Sequence, residues 1–432
     1  MDSSPALSPE TPTALAVGNR PERSAEVVAA AAWTRLVEGA DPQAHRLIAV
    51  LGAVEALDWV RHAASATALP AAPHDAEVGR GTLATSVARW APRLDRLAPE
   101  RDLDTIENLG GWFTIPGAPG WPVGLDDLGE DAPAGLWGRG RRAALERRAV
   151  AVVGSRASTP YGMTAAAEIS AGVAGAGLVV VSGGAYGIDT AAHRGALVVG
   201  GTSVAVMAGG ADRFYPQGSA EMLAQLLDDG AVVAESPPGS NPARHRFLSR
   251  NRLIAAISGA TLVVEAALRS GALSTARHAA SMGRPLGAVP GPITSMASAG
   301  CHRLMREQGA TCVTRPEELA ELALPIGTSL AATGTNGRGT TDDAGTDPLP
   351  GGDGPSTEED GMLPGLLDGL DPACRRVLDA LPAVRAADES SIARNAGLDT
   401  RTVRSALGLL ELSGRVEPVG ERWRRSGQRP GG

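Results

Sequence analysis

From residue 149 onward the chain alternates short, unbroken apolar runs with longer segments of helical periodicity. The runs are AVAVVG (149–154), LVVVSGG (178–184), SVAVMAGG (203–210), AVVAES (231–236), TLVVEA (261–266) and PLGAVPG (285–291). Valine, alanine and leucine without polar alternation suit strands whose two faces are both buried, as in a parallel sheet. Strand and helix in repeated alternation predict an α/β fold, a Rossmann-like doubly wound parallel sheet with right-handed crossovers. Upstream, residues 29–64 read as two or three short amphipathic helices broken near Gly39–Pro42. Residues 83–139 are less periodic, and Trp112, Trp121 and Trp137 in Gly/Pro-rich surroundings suggest a packed, irregular connector.

These patterns divide the chain into five parts. Residues 1–25 read as a disordered leader, 26–110 as a helical N-terminal region, and 111–325 as the Rossmann-like core. Residues 326–360, rich in Gly, Thr, Asp and Pro, cannot bury enough surface to offset ordering entropy and read as a flexible linker. In 361–432, CRRVLDAL, DESSIARNAGL and DTRTVRSALGLLELSG read as three helices, with Gly397 in a turn and a terminal two-strand ribbon. That is the outline of a winged helix.

Composition narrows the possible functions. All 40 basic residues are arginine, the net charge is −8, and aromatics make up 3% of the 432 residues. Overall negative charge excludes a uniformly cationic surface but not a local arginine groove. Cys301, Cys312 and Cys374 form neither a disulfide framework nor a metal-ligand spacing, which suits a reducing cytoplasm. No basic-then-apolar leader and no long apolar span occur, so a cytoplasmic protein without a membrane span is expected.

The loops that follow the predicted strands hold the candidate chemistry. Gly154-Ser155-Arg156 leads into a helix, offering free N–H groups and a guanidinium to an anion. Ser182-Gly183-Gly184 opens a second glycine-rich turn, which is not a dinucleotide fingerprint. Asp189 and His193, four apart on one helix face, could form a dyad or two metal ligands; a helix cap plus a packed histidine is the plainer reading. Arg244, Arg246, Phe247, Arg250, Asn251 and Arg252 lie in a stretch free of acids from Glu235 to Glu265. Arginines interleaved with an aromatic suit phosphates carrying stackable bases; ion pairs with acidic helices elsewhere are the plainer reading. Ser270, Gly271 and Thr275 add hydroxyls and N–H groups at one more turn. No paired carboxylates, activated nucleophile, Walker loop, metal cluster or cofactor motif stands at this edge. The expected site binds a polyanion, with no catalytic residue, metal or cofactor.

Taken together, VVGSR with Pro-Tyr-Gly, VVSGGAYGIDTAAHRGAL, VAVMAGGADRFYPQ, Phe247-x-x-Arg-Asn-Arg-x-Ile254, VVEAALRSGALSTARHA, AVPG and Gly300-Cys301-x-Arg-Leu-x-Arg resemble the DprA (Smf) family. The likeness runs from about Gly110 to Leu322, and the helical N-terminal region (of SAM or helix-hairpin type) and C-terminal winged helix match the family layout. The resemblance implies binding of single-stranded DNA without strong sequence preference and loading of the RecA recombinase, in natural transformation or recombinational repair. It also implies a homodimer and possible traffic with single-strand-binding protein. Arg156 and Arg250–Asn251–Arg252 would contact phosphates, with Ser182–Gly184 and Ser270–Thr275 completing the pocket. The chain departs from the family at Tyr186, where many relatives carry a basic residue, at His302 in place of asparagine, and by one extra residue before Gly309. Two other readings are a phosphoribohydrolase of the LOG type on the same fold, whose P-G-G-x-G-T-x-x-E is not matched, and a duplex-DNA regulator acting through the winged helix.

Overall fold

The computed structural model describes residues 23–66, 70, 80–324, 372–382, 386–412, 415–420 and 422–425. The expected leader falls almost entirely outside these residues and the expected linker wholly so.

Five helices come first: α1 (Ala25–Leu36), α2 (Pro42–Leu51), α3 (Ala53–Ser65), α4 (Arg80–Leu94) and α5 (Pro99–Asn108). Their core is built around Trp33 and Trp90, edge to face at 5.8 Å. Asp41 caps α2 by accepting from the Ala44 N–H, and the same carboxylate takes the Trp90 indole N–H at 3.0 Å. The helices are fastened to the sheet that follows. Trp137 donates to the Thr34 hydroxyl at 3.0 Å, and Arg35 forks onto Asp102 at 2.6 Å while reaching the Pro238 carbonyl at 2.8 Å.

The irregular connector expected for 83–139 is instead largely ordered. Besides α4 and α5 it contains β1 (Gly111–Thr114) and β2 (Leu136–Gly140), an antiparallel pair that extends the sheet through β2. Four- and five-residue strands with glycines among them carry too little β-branched pattern to announce themselves.

The core then runs β3 (Ala149–Val153), α6 (Pro160–Gly175), β4 (Val179–Ser182), α7 (Ile188–Val198), β5 (Ser203–Met207), α8 (Ala220–Asp229), β6 (Ala231–Ala234), α9 (Arg244–Ile257), β7 (Ala260–Val263), α10 (Ala272–Ser281), β8 (Leu286–Ala288), α11 (Ala299–Gln308), β9 (Thr311–Cys312) and α12 (Pro316–Ala323). Strand order is β1-β2-β6-β5-β4-β3-β7-β8-β9, with β6 through β9 all parallel. The chain winds outward from β3 to β6, then crosses back through α9 to β7. The unbroken apolar runs follow from this topology. Along β3, Ala149, Ala151 and Val153 face a core shared with α9, α10 and α11, while Val150 and Val152 face one shared with α6, α7 and α12.

The winding reverses between β3 and β7, the usual place for a ligand crevice. Protein fills it here. Glu265 is 2% exposed; its carboxylate accepts from the Thr159 N–H at 2.9 Å and from the Thr159 hydroxyl at 2.6 Å. Thr159 is also the N-cap of α6, accepting from the Gly162 N–H. Thr159→Ala removes the cap and one partner of a buried carboxylate, and is expected to cost about 1–2 kcal/mol, read as a lowered urea midpoint.

The last elements are α13 (Pro372–Ala380), α14 (Glu389–Ala396), α15 (Thr400–Leu412), β10 (Val416–Val419) and β11 (Arg422–Arg425). Gly397 ends α14 in the left-handed region at φ 66°, and β10 pairs antiparallel with β11. The module has its own core, including Val377, Ile392, Val403, Leu407 and Leu410. This is the predicted winged helix.

Candidate nucleic-acid interface

Beside the filled switch point, the loops after β3, β4, β5 and β6 enclose a cleft of about 840 Å³. Its core wall carries Arg156, Tyr186, Arg213, Phe214, Tyr215 and Phe247, and no carboxylate. Two of the chain's three phenylalanines and two of its three tyrosines are therefore gathered here. The exposed Arg156 guanidinium lies 4.4 Å from the centre of the Phe247 ring, and Tyr215 meets the same ring at 6.1 Å. Arg213 is mostly exposed, 3.5 Å from the Asp212 carboxylate and resting on the Gly239 carbonyl and the Asn241 side chain at 3.3 and 3.1 Å. Flat π-faces beside arginine suit a flexible chain of bases and phosphates.

Local backbone geometry explains the glycines after β4. A Cβ on Gly183 would stand 1.7 Å from Arg250 Nη1, and one on Gly187 (φ 80°) would stand 2.4 Å from the Ser155 carbonyl oxygen. Both loops are thus drawn together from below, which fixes Arg156 at the cleft mouth.

The arginine-rich stretch forms α9, and the helix sorts its residues by side. Arg244 and Phe247, three apart, lie toward the outside; Arg244 is exposed and has no ion pair among the described residues. Arg246 is engaged by Glu38 at 2.9 and 3.1 Å. The other three are inside, which corrects the expected phosphate contacts. Arg250 is 5% exposed, donates to the Val206 carbonyl at 2.9 Å beneath Gly183, and has buried Asp189 as its counter-charge. Arg252 is 1% exposed and bound to Glu235 at 2.7 Å and the Asp131 carbonyl at 2.9 Å. Asn251 donates to the Gly271 carbonyl at 3.2 Å. Arg252 has all three guanidinium nitrogens hydrogen-bonded while Arg250 leaves its buried Nε without a partner, and both, enclosed, brace the floor out of reach of solvent phosphates.

Other expected site residues also have structural partners. The Ser182 hydroxyl is buried and donates to the Val152 carbonyl at 2.6 Å. Gly154 packs on Ile188, and the Ser155 N–H donates to the Glu265 carbonyl at 2.7 Å. Of the glycines after β4, Gly183 lines the cleft and Gly184 does not. Ser270, Gly271 and Thr275 lie outside the cleft lining, Thr275 buried and the Ser270 hydroxyl accepting from the Ala272 N–H.

Asp189 and His193 do not form a dyad. Burial pushes the Asp189 carboxyl up, against the pull of Arg250 and Arg156, and the carboxylate accepts from the Ala185 N–H. His193 is fully buried, shares a 2.8 Å hydrogen bond with Ser203, and is lowered to about 3 by burial with Arg250 adding to it; it is a neutral core residue. His302 bonds the Gly291 carbonyl at 3.0 Å. Among the described residues no group of three or more His, Cys, Asp or Glu is placed to hold a metal ion, and no helix is long and apolar enough to cross a membrane.

Arg213, Phe214 and Tyr215 were not among the residues expected at the site. The available signal was scarcity: in a chain this poor in aromatics, adjacent Phe and Tyr in a strand-following loop stand out.

A family model described as DNA recombination-mediator protein A matches residues 112–323, and one described as DprA winged helix domain matches residues 363–421. The chain is 40% identical over 410 residues to a DNA processing protein DprA of Mycobacterium tuberculosis H37Rv, covering 91% of this chain and 94% of that one. Protein Smf of Escherichia coli K12 is 44% identical over 192 residues, 44% of this chain and 51% of that one. The X-ray structure of DNA processing protein A from Streptococcus pneumoniae aligns with a TM-score of 0.54 at 28% identity, covering 69% of this chain and 98% of that one. The chain belongs to the DprA (Smf) family.

Proposed function

We propose that this protein binds single-stranded DNA without strong sequence preference and hands it to the RecA recombinase, in natural transformation or recombinational repair. In this reading it is a cytoplasmic, non-catalytic, homodimeric binding protein. The observation that carries it is the Arg156 guanidinium 4.4 Å over Phe247, at the mouth of a cleft whose core wall holds no acid. Bases stack on Phe247 and Tyr215 and phosphates meet Arg156, Arg213 and Arg244; ring-face and phosphate contacts carry no sequence information. A core wall without carboxylates repels no phosphate and supplies no general base, which favours holding a strand over cutting one.

The test is a strand-preference titration across a salt series. A poly-dT oligonucleotide is expected to bind tighter than a duplex of equal length, with log K falling about 0.7 per decade of salt for each phosphate neutralised. Equal affinity for the two forms, or binding indifferent to salt, contradicts the proposal.

A further inference from the structure

The winged-helix module supplies the one acid that lines the cleft, Asp379 of α13. Its carboxylate accepts from the Tyr186 hydroxyl and from the Gly218 N–H. On the same helix the Arg376 guanidinium lies 5.7 Å from the centre of the Tyr186 ring, covering a face on which a base would stack. Beyond α14, a Cβ on Gly397 would stand 3.7 Å from Arg156 Cβ, so the module also closes over the cleft mouth. One module thus occupies the ring, the hydroxyl, the N–H and the approach to Arg156.

An O–H and a backbone N–H converging on one carboxylate are the donors that a phosphate oxygen would use in the same place. The module has a hydrophobic core of its own, with Val377, Ile392, Val403 and Leu407 in it. Burial pushes the Asp379 carboxyl up, against the pull of the Gly218 N–H and Arg425, so docking desolvates a charge.

We propose that the Tyr186 hydroxyl and Gly218 N–H form a phosphate subsite of the cleft, and that Asp379 of the winged helix occupies it in the free protein, so that module and single-stranded DNA compete. This rests on the single-stranded-DNA reading above. A site closed for most of the time binds with its affinity reduced by the open fraction. Loosening the module therefore tightens DNA binding.

The experiment uses the full chain and a poly-dT oligonucleotide. Asp379→Ala is expected to raise apparent affinity about threefold to tenfold. In the unaltered protein, saturation with the same oligonucleotide is expected to speed hydrogen exchange in α13 as the module leaves; this second readout does not depend on how the variant folds. Unchanged or weakened affinity in Asp379→Ala, or α13 exchange that stays the same or slows on DNA, overturns the competition and makes the module a clamp or a bystander. Arg156→Ala separates the two readings. If it leaves poly-dT affinity intact, the binding site itself is wrong; if it weakens binding while the α13 and Asp379 results fail, only the competition is wrong.

Discussion

Replacing Arg156 and Phe247 together by alanine is expected to weaken poly-dT binding by about 100-fold, close to 3 kcal/mol, with the fold unchanged. Stacking of a base on an aromatic ring contributes about 1–3 kcal/mol, and a charge-assisted phosphate contact about as much. Arg156 lies directly over the Phe247 ring, so each side chain holds the other in place and the single variants should not sum to the double. Arg156→Ala alone should also flatten the salt dependence by about 0.7 in log–log slope, whereas Phe247→Ala should not. Fluorescence anisotropy over a salt series measures both quantities, and circular dichroism checks the fold. Unaltered affinity in the double variant would remove the cleft from consideration.

Arg252→Ala is expected to act on stability. Removing the buried guanidinium leaves Glu235, whose side chain is 16% exposed, and the Asp131 carbonyl without their partner; breaking a buried pair from one side costs about 3–5 kcal/mol, with the lower end expected where one partner reaches water. Urea or thermal denaturation reads this directly. Any loss of DNA binding should follow the unfolded fraction and vanish at temperatures where the variant is folded. Arg252→Met combined with Glu235→Leu, which removes both charges, should recover part of the loss. If Arg252→Ala melts like the parent yet binds DNA poorly, Arg252 is a contact residue and its interior placement is wrong.

These two arginines, so alike in the chain, show what the sequence made legible and what it hid. The six parallel strands from β3 to β8 were readable because burial on both faces leaves only apolar residues along them. The winged helix was readable because its helices carry clear periodicity and Gly397 marks a turn. The arginine-rich stretch was a different case. Read as a line, it presents four equivalent cations; wound into α9, it turns Arg244 and Phe247 outward and buries Arg250 and Arg252 against carbonyls and carboxylates. No local pattern separates a phosphate-binding arginine from one that props up a floor. Tyr186, read as a departure from the family, lines the cleft. Phe214 and Tyr215 were hidden because cleft walls join residues from separate loops, a matter of topology. The expected pocket at Ser270–Thr275 lies outside the cleft, and the gap between β3 and β7 is closed by Glu265 and Thr159, an occupancy that no local pattern announces.

The margins of the large sheet bear on how copies of this protein can meet. A long bare outer strand would offer main-chain hydrogen bonds to any neighbour with a similar one, a route to uncontrolled polymerisation. Here one margin is the two-residue β9, and the other, β1, has α5 packed beside it while α1 and its ties to Trp137 and Asp102 brace the adjoining strand. Among the described residues the margins of the large sheet offer almost no template for ribbon-to-ribbon growth, so encounters between copies around it are left to side chains on its helical flanks, where a few substitutions can tune them.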